Sequence, residues 1–422
     1  MKPLHRVVAR DIPALAGALR AALEGGPAVW PVPDATPPSS ARAIPDTDPD
    51  PDPNRATDPN PDRATGPDHL SNPDTVPDDI ALVVETSGST AAPKRVMLSA
   101  SALRSSCTGV VSELGGHGQW LLALPAHYIA GAQVVIRSIL AGCDPLVLPG
   151  EHFDVAEFTA ATSALDPSRR RYTSLIPAQL ARVLAAAETD TGASDALRSF
   201  DRILIGGQAP SPTLCSAATR LGVRLSVTYG SSETAGGCVY DGRPLPGVRV
   251  RILGGDIELA GPSLAEGYLG DSERTSAAFV VDPDGTRWYR TRDRGDVAAD
   301  GTLTVHGRAD DVFISGGLKV ERAEVERAIR RVPELADALI VIVPHAVWGQ
   351  RAIVLVESGE TAPAGHPDEA ALLTAALAAT DSAGLGVAAR PTRVLRVAAF
   401  PRLSSGKPDM RLLTTTVTAT LV

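Results

Sequence analysis

The strongest chemical signal in the sequence is a run of small hydroxylated residues, TSGSTAAPK, at positions 86–94. It follows an apolar segment, 80–84, that predicts a buried strand, and it precedes a serine-capped helix predicted from about residue 100. Backbone N–H groups and hydroxyls in such a loop bind anions, and Lys94 adds a positive charge. The run therefore predicts a phosphate-binding loop with a polyphosphate ligand. The spacing G-x-x-x-x-G-K-[ST] is absent, which excludes a Walker P-loop.

Four further motifs follow along the chain: YGSSET at 229–234, WYRTRD at 288–293, GRADDV at 307–312 with SGGLKV at 315–320, and PRLSSGK at 401–407. In the first motif a glycine lets the backbone turn close to a ligand, and Glu233 can hold Mg²⁺. In the second, Asp293 can accept hydrogen bonds from both hydroxyls of a ribose. Taken singly, Glu233 can equally be a surface acid, Asp293 a turn former and Lys407 a solvated lysine. Their order along one chain favours a shared site.

The elements that must position these motifs form a repeating pattern. From residue 80 to about 230, candidate strands and helices alternate, which predicts a mainly parallel sheet covered by helices. Ligand sites are then expected at the carboxyl ends of the strands. From 238 to 306, short strands with Gly, Pro and Asp-Gly turns predict a smaller β-rich unit, and an α+β pattern begins near 310. The fold class is therefore α/β, a large N-terminal domain followed by a small α+β domain.

Composition sets the domain boundaries and excludes several functions. Residues 31–79 are rich in Pro and Asp and poor in large apolar residues, which predicts disorder. The net charge of −9 argues against a nucleic-acid binder, and no apolar run is long enough to cross a membrane. Four scattered cysteines lack metal-ligand spacing, so a cytoplasmic protein with reduced thiols is expected. The predicted units are a helical segment of the large domain at 1–30, a disordered linker or insertion at 31–79, the large domain at 80–308 and the small domain at 309–422.

The motifs, in this order and spacing, resemble those of the adenylate-forming superfamily, over about residues 80 to 412. The superfamily includes acyl-CoA synthetases, peptide-synthetase adenylation domains and luciferases. The resemblance implies a mobile C-terminal lid domain, the substrates ATP, a carboxylic acid and coenzyme A, and the cofactor Mg²⁺. It also implies roles for individual residues. These are ATP binding by Thr86, Ser87, Gly88, Ser89, Thr90, Lys94, Gly207, Gln208, Tyr229, Gly230, Ser232, Asp293 and Arg308, metal binding by Glu233, catalysis by Lys407, Glu233 and His127, a hinge at Asp311, and the thiol step at Gly316 and Gly317.

The sequence departs from the superfamily pattern in two places. The phosphate loop usually carries glycine where this chain has Ala91 and Arg95. If position 91 needs a positive φ, alanine costs about 1 kcal/mol there, and ATP binding is expected to be weaker. The region before the phosphate loop is also short for the superfamily, so part of the usual first subdomain is expected to be missing.

Several local strings resemble the o-succinylbenzoate–CoA ligases of menaquinone biosynthesis: LPAHYIAG at 124–131, SLIPAQL at 174–180, SETAGGCVYDG at 232–242 and TRDRG at 291–295. The first string offers a His where peptide-synthetase domains place an Asp for an amino group, which disfavours an amino-acid substrate. The expected substrate has two carboxylates, one activated and one to be neutralised. The resemblance points to Arg137 as the partner of the second carboxylate, with His127, Gln179 and Gly206 as pocket residues.

Two alternatives remain open at this point. Within the same class, the chain can be a CoA ligase for another aromatic or medium-chain acid. From a different class, it can be a non-catalytic nucleotide-binding homologue, although the presence of Glu233, Asp293 and Lys407 argues against that. Arg137 can also be a helix residue that reaches solvent. A homodimer is possible, and neither nucleic acid nor a membrane is expected as a partner.

Overall fold

The computed structural model describes residues 1–33, 74–86, 93–150, 152–309, 311–357, 367–403 and 406–421. The strands are β1 (Lys2–Val8), β2 (Ala28–Val32), β3 (Thr75–Val76), β4 (Ile80–Thr86), β5 (Lys94–Ser99), β6 (Gln119–Leu122), β7 (Leu146–Val147), β8 (Arg171–Leu175), β9 (Arg202–Ile205), β10 (Leu225–Ser231), β11 (Gly236–Tyr240), β12 (Arg243–Pro244), β13 (Arg249–Leu253), β14 (Asp256–Ala260), β15 (Gly267–Tyr268), β16 (Phe279–Val281), β17 (Arg287–Val297), β18 (Leu303–Arg308), β19 (Val312–Ser315), β20 (Leu318–Glu321), β21 (Leu339–His345), β22 (Gly349–Glu357) and β23 (Arg393–Val397).

The α-helices are α1 (Ile12–Leu23), α2 (Ala100–Leu114), α3 (Ile129–Leu140), α4 (Val155–Ser163), α5 (Pro177–Ala187), α6 (Thr191–Ser199), α7 (Pro212–Arg220), α8 (Ser272–Ala278), α9 (Arg322–Ile329), α10 (Glu369–Ser382) and α11 (Met410–Leu421). Short 3-10 turns lie at Ser232–Thr234, Pro333–Leu335 and Val387–Ala389. Side-chain caps define several helix starts. For example, Ser99 accepts from the backbone N–H of Ala102 at 3.2 Å, and α2 ends at Gly115 with φ of 75°.

Two α/β sheets build the body of the large domain. One has the strand order β15-β5-β4-β2-β1-β3, and the other has the order β12-β11-β10-β9-β8-β6-β7. In the second sheet the pairs β6–β7, β6–β8, β8–β9 and β9–β10 are parallel, as the alternating pattern predicts. The carboxyl ends of β8, β9 and β10 therefore open at one edge, which is where the predicted site motifs begin.

The two remaining sheets are smaller. An antiparallel sheet in the order β13-β14-β17-β16, with β18 paired to β17, carries the WYRTRD motif. The C-terminal sheet has the order β20-β19-β22-β21, with β23 parallel to β22. Helices α9 and α10 pack on this sheet around a core that includes Phe313, Val325 and Leu372. The predicted α/β fold with a small α+β domain is confirmed.

The ordered part of the N-terminal region is larger than the sequence indicated. The helix expected near 11–23 is present as α1, but the segment 1–30 also contributes β1 and the first three residues of β2 to the first sheet. The linker predicted at 31–79 therefore needs correction at both ends. Residues 31–32 belong to β2, and Val76 of β3 is fully buried against β1. Positions 34–73, the larger part of that prediction, lie outside the described residues.

Within the part of the chain that the structure describes, no helix is both long enough and apolar enough to span a membrane. All four cysteines are free, as expected for reduced thiols. Cys107 and Cys238 are buried in the large domain, where burial raises the pKa of each thiol. Neither is therefore an activated nucleophile.

Candidate active site

A carboxylate and a phenol meet where β10 approaches β17. The hydroxyl of Tyr229 donates to Oδ2 of Asp293 at 2.7 Å, and the backbone N–H of Asp293 donates to Oγ1 of Thr291 at 3.0 Å. Burial, and then the charge of Asp293, raise the pKa of Tyr229 far above its usual range, so the phenol stays a donor. Asp293 also lies opposite Arg308 in the β17–β18 register. The carboxylate is thus fixed at a half-buried position where it can accept from a diol.

Two glycines allow the backbone to pass close to this position. A Cβ at Gly230 would lie 2.2 Å from the carbonyl oxygen of Gly236, and a Cβ at Gly206 would lie 2.6 Å from Oγ1 of Thr228. Both contacts are shorter than any side chain tolerates, so glycine is required at each site by close approach. Gly207 follows with φ of 82°, and Gln208 beside it is exposed. The predicted residues at the ends of β9 and β10 therefore share one edge of the sheet.

The second carboxylate of the site belongs to Glu233, in the 3-10 turn after β10. It is 5% exposed and accepts a 2.8 Å hydrogen bond from the hydroxyl of Tyr268. Thr234 fixes the turn by accepting from the backbone N–H of Ser231 and donating to the carbonyl of Gly236. Burial, followed by the charge of Glu233, raises the pKa of Tyr268 well above its usual range. The turn therefore holds a nearly buried carboxylate in one orientation.

Positive side chains surround this carboxylate. The ammonium of Lys94 lies 5.4 Å from the ring centroid of Tyr268. Burial lowers the pKa of Lys94, the charge of Glu233 opposes that shift, and the cations of Arg274, Arg308 and Arg292 add to it. Three cations and one carboxylate thus act on the charge of Lys94. Such an excess of positive charge is suited to a polyanion.

Glu233 also fits the chemistry of a magnesium ligand. Mg²⁺ in phosphate-transfer sites is bound through one or two carboxylates together with oxygens of the substrate phosphates. Within the described residues, no cluster of three or more His, Cys, Asp or Glu side chains could hold a metal by itself. A single fixed carboxylate beside a polyphosphate site is the donor set that such an ion uses.

Lys407 reaches this edge from the small domain. A Cβ built at Gly207 would lie 3.3 Å from Cε of Lys407, and one at Gly406 would lie 2.4 Å from Cδ1 of Ile176. Gly406 has φ of 78°, so both its conformation and its contact with the large domain call for glycine. Lys407 is an exposed residue, yet partial desolvation of its ammonium beside the large domain lowers its pKa. The cation stands at the carboxyl end of β9, next to the nucleotide residues.

The helix α3, which the sequence predicts to line the acyl side of the site, carries a buried arginine. Arg137 is 4% exposed, its guanidinium lies 5.0 Å from the Trp120 ring centroid, and its Nε has no hydrogen-bond partner. Burial raises the pKa of the adjoining Tyr240, and the charge of Arg137 opposes that shift. None of the ion pairs among the described residues involves Arg137. The alternative in which Arg137 reaches solvent is therefore wrong.

The two other predicted pocket residues differ from each other. His127 is half-buried with its ring 4.2 Å from that of Tyr128, and burial followed by the cation of Arg10 lowers its pKa. It is therefore a neutral imidazole near pH 7. The amide of Gln179 is already used, because Oε1 accepts from the N–H of Ile176 at 3.0 Å and Nε2 donates to the carbonyl of Ala123 at 3.0 Å. Gln179 joins the start of α5 to the end of β6.

Sequence reasoning missed one polar residue of α3. Gln133 is 1% exposed, and its Nε2 donates to the carbonyl of Ala235 at 2.6 Å, next to a 3.0 Å bond from Oγ of Ser106 to the same carbonyl. Ala235 has φ of 53°, a left-handed conformation that costs a non-glycine residue energy. The clamp by Gln133 and Ser106 therefore holds the strained end of the Glu233 turn. The available signal was a lone amide inside an apolar helix, one turn before Arg137.

Asp311, the predicted hinge, and the predicted Gly316–Gly317 pair lie in the C-terminal part of the chain. Asp311 forms a two-bond ion pair with Arg322 at the start of α9, and its carbonyl accepts from the N–H of Arg322 at 3.0 Å. Gly316 and Gly317 form the turn between β19 and β20, with φ of 57° and 80°. A Cβ at Gly316 would lie 2.6 Å from the ring of Trp348.

Only the two ends of the predicted phosphate loop fall within the described residues. Thr86 and Lys94 face each other in the β4–β5 pair. Ser87, Gly88, Ser89, Thr90 and the unusual Ala91 lie outside the described residues. Arg95, the other departure, stacks on Trp30 at 4.5 Å and lies 3.4 Å from the carboxylate of Glu85. It therefore packs at the base of the hairpin that presents the loop.

A half-buried carboxylate held by a phenol, a second carboxylate with cations near it, and a lysine that reaches the same edge from the C-terminal part of the chain are the features expected of an adenylate-forming enzyme. Comparison with protein families agrees. The AMP-binding enzyme model matches residues 22–269, and the AMP-binding enzyme C-terminal domain model matches residues 324–407. The chain belongs to the AMP-binding enzyme family.

Individual relatives narrow the similarity. The chain is 42% identical over 343 residues to the probable 2-succinylbenzoate–CoA ligase of Mycobacterium tuberculosis, covering 80% of this chain and 85% of the relative. It is 32% identical over 291 residues to the 2-succinylbenzoate–CoA ligase of Escherichia coli, covering 67% and 59%. Among solved structures, a variant of E. coli MenE with bound OSB-AMS is similar with a TM-score of 0.64 and 27% identity, covering 82% of this chain and 71% of that one.

Proposed function

We propose that this protein is an ATP-dependent 2-succinylbenzoate–CoA ligase of menaquinone biosynthesis, acting in the cytoplasm. The names of its relatives support the substrate, and one observation in the structure carries it. Arg137 is a buried cation with an unpartnered Nε beside the acyl side of the site. Because an unpaired buried charge is costly, the pocket favours a ligand that brings a carboxylate of its own. A dicarboxylic acid supplies one carboxylate for Arg137 and another for activation.

The first reaction step joins the acid to AMP. An oxygen of the reacting carboxylate attacks the α-phosphorus of ATP, the bond from that phosphorus to the bridging oxygen breaks, and pyrophosphate leaves. Lys407 is assigned to the carboxylate and the α-phosphate, and Lys94 to the departing phosphates, because positive groups fixed in advance stabilise the negative charge that develops. Asp293, with help from Arg308, is assigned to the ribose. Mg²⁺, when bound through Glu233, neutralises phosphate charge and favours departure of the pyrophosphate.

The second step transfers the acyl group to coenzyme A. The thiol loses its proton, the sulfur attacks the acyl carbon, and AMP leaves as the carbon–oxygen bond breaks. The two steps need different partners at the same carbon, which motivates rotation of the small domain about Asp311. The Gly316–Gly317 turn is assigned to this second arrangement. His127 and Gly206 are assigned to the pocket wall, and Gln179 holds that wall through its two backbone contacts.

A panel of acids tests the substrate directly. Pyrophosphate release is measured with 2-succinylbenzoate, benzoate and a medium-chain acid, each with ATP and coenzyme A, and the acyl-CoA product is identified by mass. We expect turnover with 2-succinylbenzoate to exceed that with benzoate by about a hundredfold, the scale of one buried charge pair. Equal turnover of the two would favour a ligase for other acids. Release with none of them, together with intact nucleotide binding, would favour a non-catalytic homologue.

A further inference from the structure

Arg292 has a backbone conformation that residues with side chains rarely adopt. It lies in β17 between the buried Thr291 and the candidate ribose ligand Asp293, and its φ is 62°. The carbonyl of Arg292 accepts a 2.8 Å hydrogen bond from the N–H of Ala309, which holds this peptide beside the domain hinge. Glycine would adopt the same conformation without steric cost. Strain of this kind persists mainly at functional positions, so the side chain at this position calls for a role.

The surroundings of Arg292 indicate what that role is. The residue is exposed, and within the described part of the chain no hydrogen bond or ion pair engages its guanidinium. Its charge acts on Lys94, together with those of Arg274 and Arg308. Arg274 has a partner in Asp271, whose carboxylate lies 3.3 Å away. Arg292 is therefore an exposed cation, next to Asp293 in β17 and close enough to influence Lys94, that no described residue neutralises.

We propose that Arg292 is an additional nucleotide-binding residue, whose guanidinium binds the β- and γ-phosphates of ATP and then the departing pyrophosphate. This inference rests on the proposed function, since it assumes that ATP lies between Lys94 and Asp293. A planar guanidinium matches phosphate oxygens with paired hydrogen bonds, whereas the uncharged ribose diol already has the Asp293 carboxylate. The left-handed backbone at residue 292 is then the cost of placing a cation directly beside the ribose site.

The test compares nucleotides that share a ribose but differ in their phosphates. Binding of AMP and of a non-hydrolysable ATP analogue, both with Mg²⁺, is measured by calorimetry for the wild-type protein, R292G and R292K. R292G is expected to bind the ATP analogue about tenfold more weakly and AMP within twofold of the wild type. R292K keeps the positive charge but lacks the paired N–H donors of a guanidinium, so we expect an intermediate loss of affinity for the ATP analogue. The melting temperature of R292G is expected to rise, because glycine relieves the backbone strain.

The matched control is Arg290, two residues earlier in β17, which pairs with Glu258 at 3.2 Å. R290K should leave binding of both nucleotides unchanged. Equal losses for AMP and the ATP analogue in R292G would overturn the proposal and assign Arg292 to the ribose. If R292G binds both nucleotides as tightly as the wild type, the guanidinium contacts no phosphate of ATP. A change confined to the KM for coenzyme A would instead assign Arg292 to binding of the thiol substrate. Because binding is measured without an acid, failure of the substrate assignment leaves this test intact.

Discussion

The predicted nucleotide side of the site, with Asp293 and Glu233, and the predicted acyl side, with Arg137, differ in how their charged groups are hydrogen-bonded. On the nucleotide side, each carboxylate already has a phenol as a donor: Tyr229 for Asp293 at 2.7 Å and Tyr268 for Glu233 at 2.8 Å. On the acyl side, Arg137 is nearly fully buried, stacks on Trp120, and has an unpartnered Nε. The two carboxylates thus already have hydrogen-bond donors, whereas the buried cation Arg137 has no carboxylate partner among the described residues.

This difference indicates where selectivity resides. Groups that are already hydrogen-bonded can hold a nucleotide with little rearrangement, and they serve any acid that is to be activated. Arg137 is a buried cation with no carboxylate partner among the described residues, and a ligand that brings its own carboxylate would offset the cost of that burial. A site that leaves a buried polar group unpaired rejects the wrong ligand strongly. We therefore expect general chemistry from the nucleotide side and substrate choice from Arg137.

The largest expected effect comes from Lys407, which belongs to neither side and arrives from the small domain. K407A should reduce pyrophosphate release by about 10²- to 10³-fold, because it removes a fixed positive group from the transition state. Conversion of supplied acyl-adenylate and coenzyme A to the thioester should change by less than about fivefold. An equal loss in both steps would remove Lys407 from its assigned role.

The same lysine predicts the pH dependence of the first step. Burial lowers the pKa of Lys407, and its ammonium is the form that stabilises negative charge. The rate of adenylation should therefore be maximal at pH values below this lowered pKa and should fall as the pH rises through it. The fall should occur at a lower pH than the pKa of a free lysine. This alkaline limb, read from kcat/KM for pyrophosphate release, should be absent in K407A.

The second largest effect should separate the two sides of the site. R137M, similar in length and uncharged, should raise the KM for 2-succinylbenzoate by about a hundredfold and leave the KM for ATP within twofold. It should not destabilise the fold, because it removes an unmatched buried charge. S138A is the control, since Ser138 is buried on the same helix and only bonds to the carbonyl of Val134. An unchanged KM for the acid would place selectivity elsewhere.

The motifs predicted the nucleotide side better than they predicted its supports. Lys94, Tyr229, Glu233 and Asp293 are residue types whose chemistry depends on local spacing, and the fold brings Tyr229 to Asp293 and Lys94 to the Tyr268–Glu233 pair. The partners that orient them come from distant positions. Tyr268, for example, is 35 residues from Glu233, on a two-residue strand at the edge of another sheet. Such contacts depend on how the sheets pack, and no local pattern encodes that.

Burial was also hard to predict for polar residues on helices. Arg137 and Gln133 are spaced one turn apart on α3, and both are almost fully buried. The sequence was equally compatible with Arg137 on a solvent-exposed helix face, and no motif indicated a role for Gln133. The strand β1 was missed because it shows no apolar alternation and buries only Leu4, and β2 was missed because it runs into the Pro/Asp-rich segment. Tertiary pairing, not local propensity, makes them strands.

A third, moderate effect should link the two sides through Gln133. Q133L removes the 2.6 Å bond to the Ala235 carbonyl and loosens the turn that carries Glu233. We expect kcat for pyrophosphate release to fall about tenfold and half-maximal activity to need more Mg²⁺, with the KM for the acid nearly unchanged. S106A keeps the Gln133 bond and should lose only a few-fold. A rise in the KM for the acid, without a change in Mg²⁺ dependence, would make Gln133 an acyl-pocket residue instead.

The smallest effect concerns Arg95, which stands where the superfamily usually has glycine in the phosphate loop. Its stacking on Trp30 and its pairing with Glu85 indicate a packing role at the base of the hairpin. R95G should lower the free energy of unfolding by about 1–2 kcal/mol, through the lost stacking and the added chain entropy, and leave the KM for ATP within twofold.

The control for R95G is R6A. Arg6 belongs to β1, and its guanidinium lies 4.7 Å from the centroid of the same Trp30 ring, but it is not part of the predicted phosphate loop. If both variants lose a comparable free energy of unfolding and keep the wild-type KM for ATP, Arg95 has a packing role in the sheet and no role in ATP binding. A KM for ATP that changes severalfold in R95G and not in R6A would instead show that Arg95 acts on the phosphate loop. The boundary of the nucleotide side would then extend one residue further along β5, past Lys94.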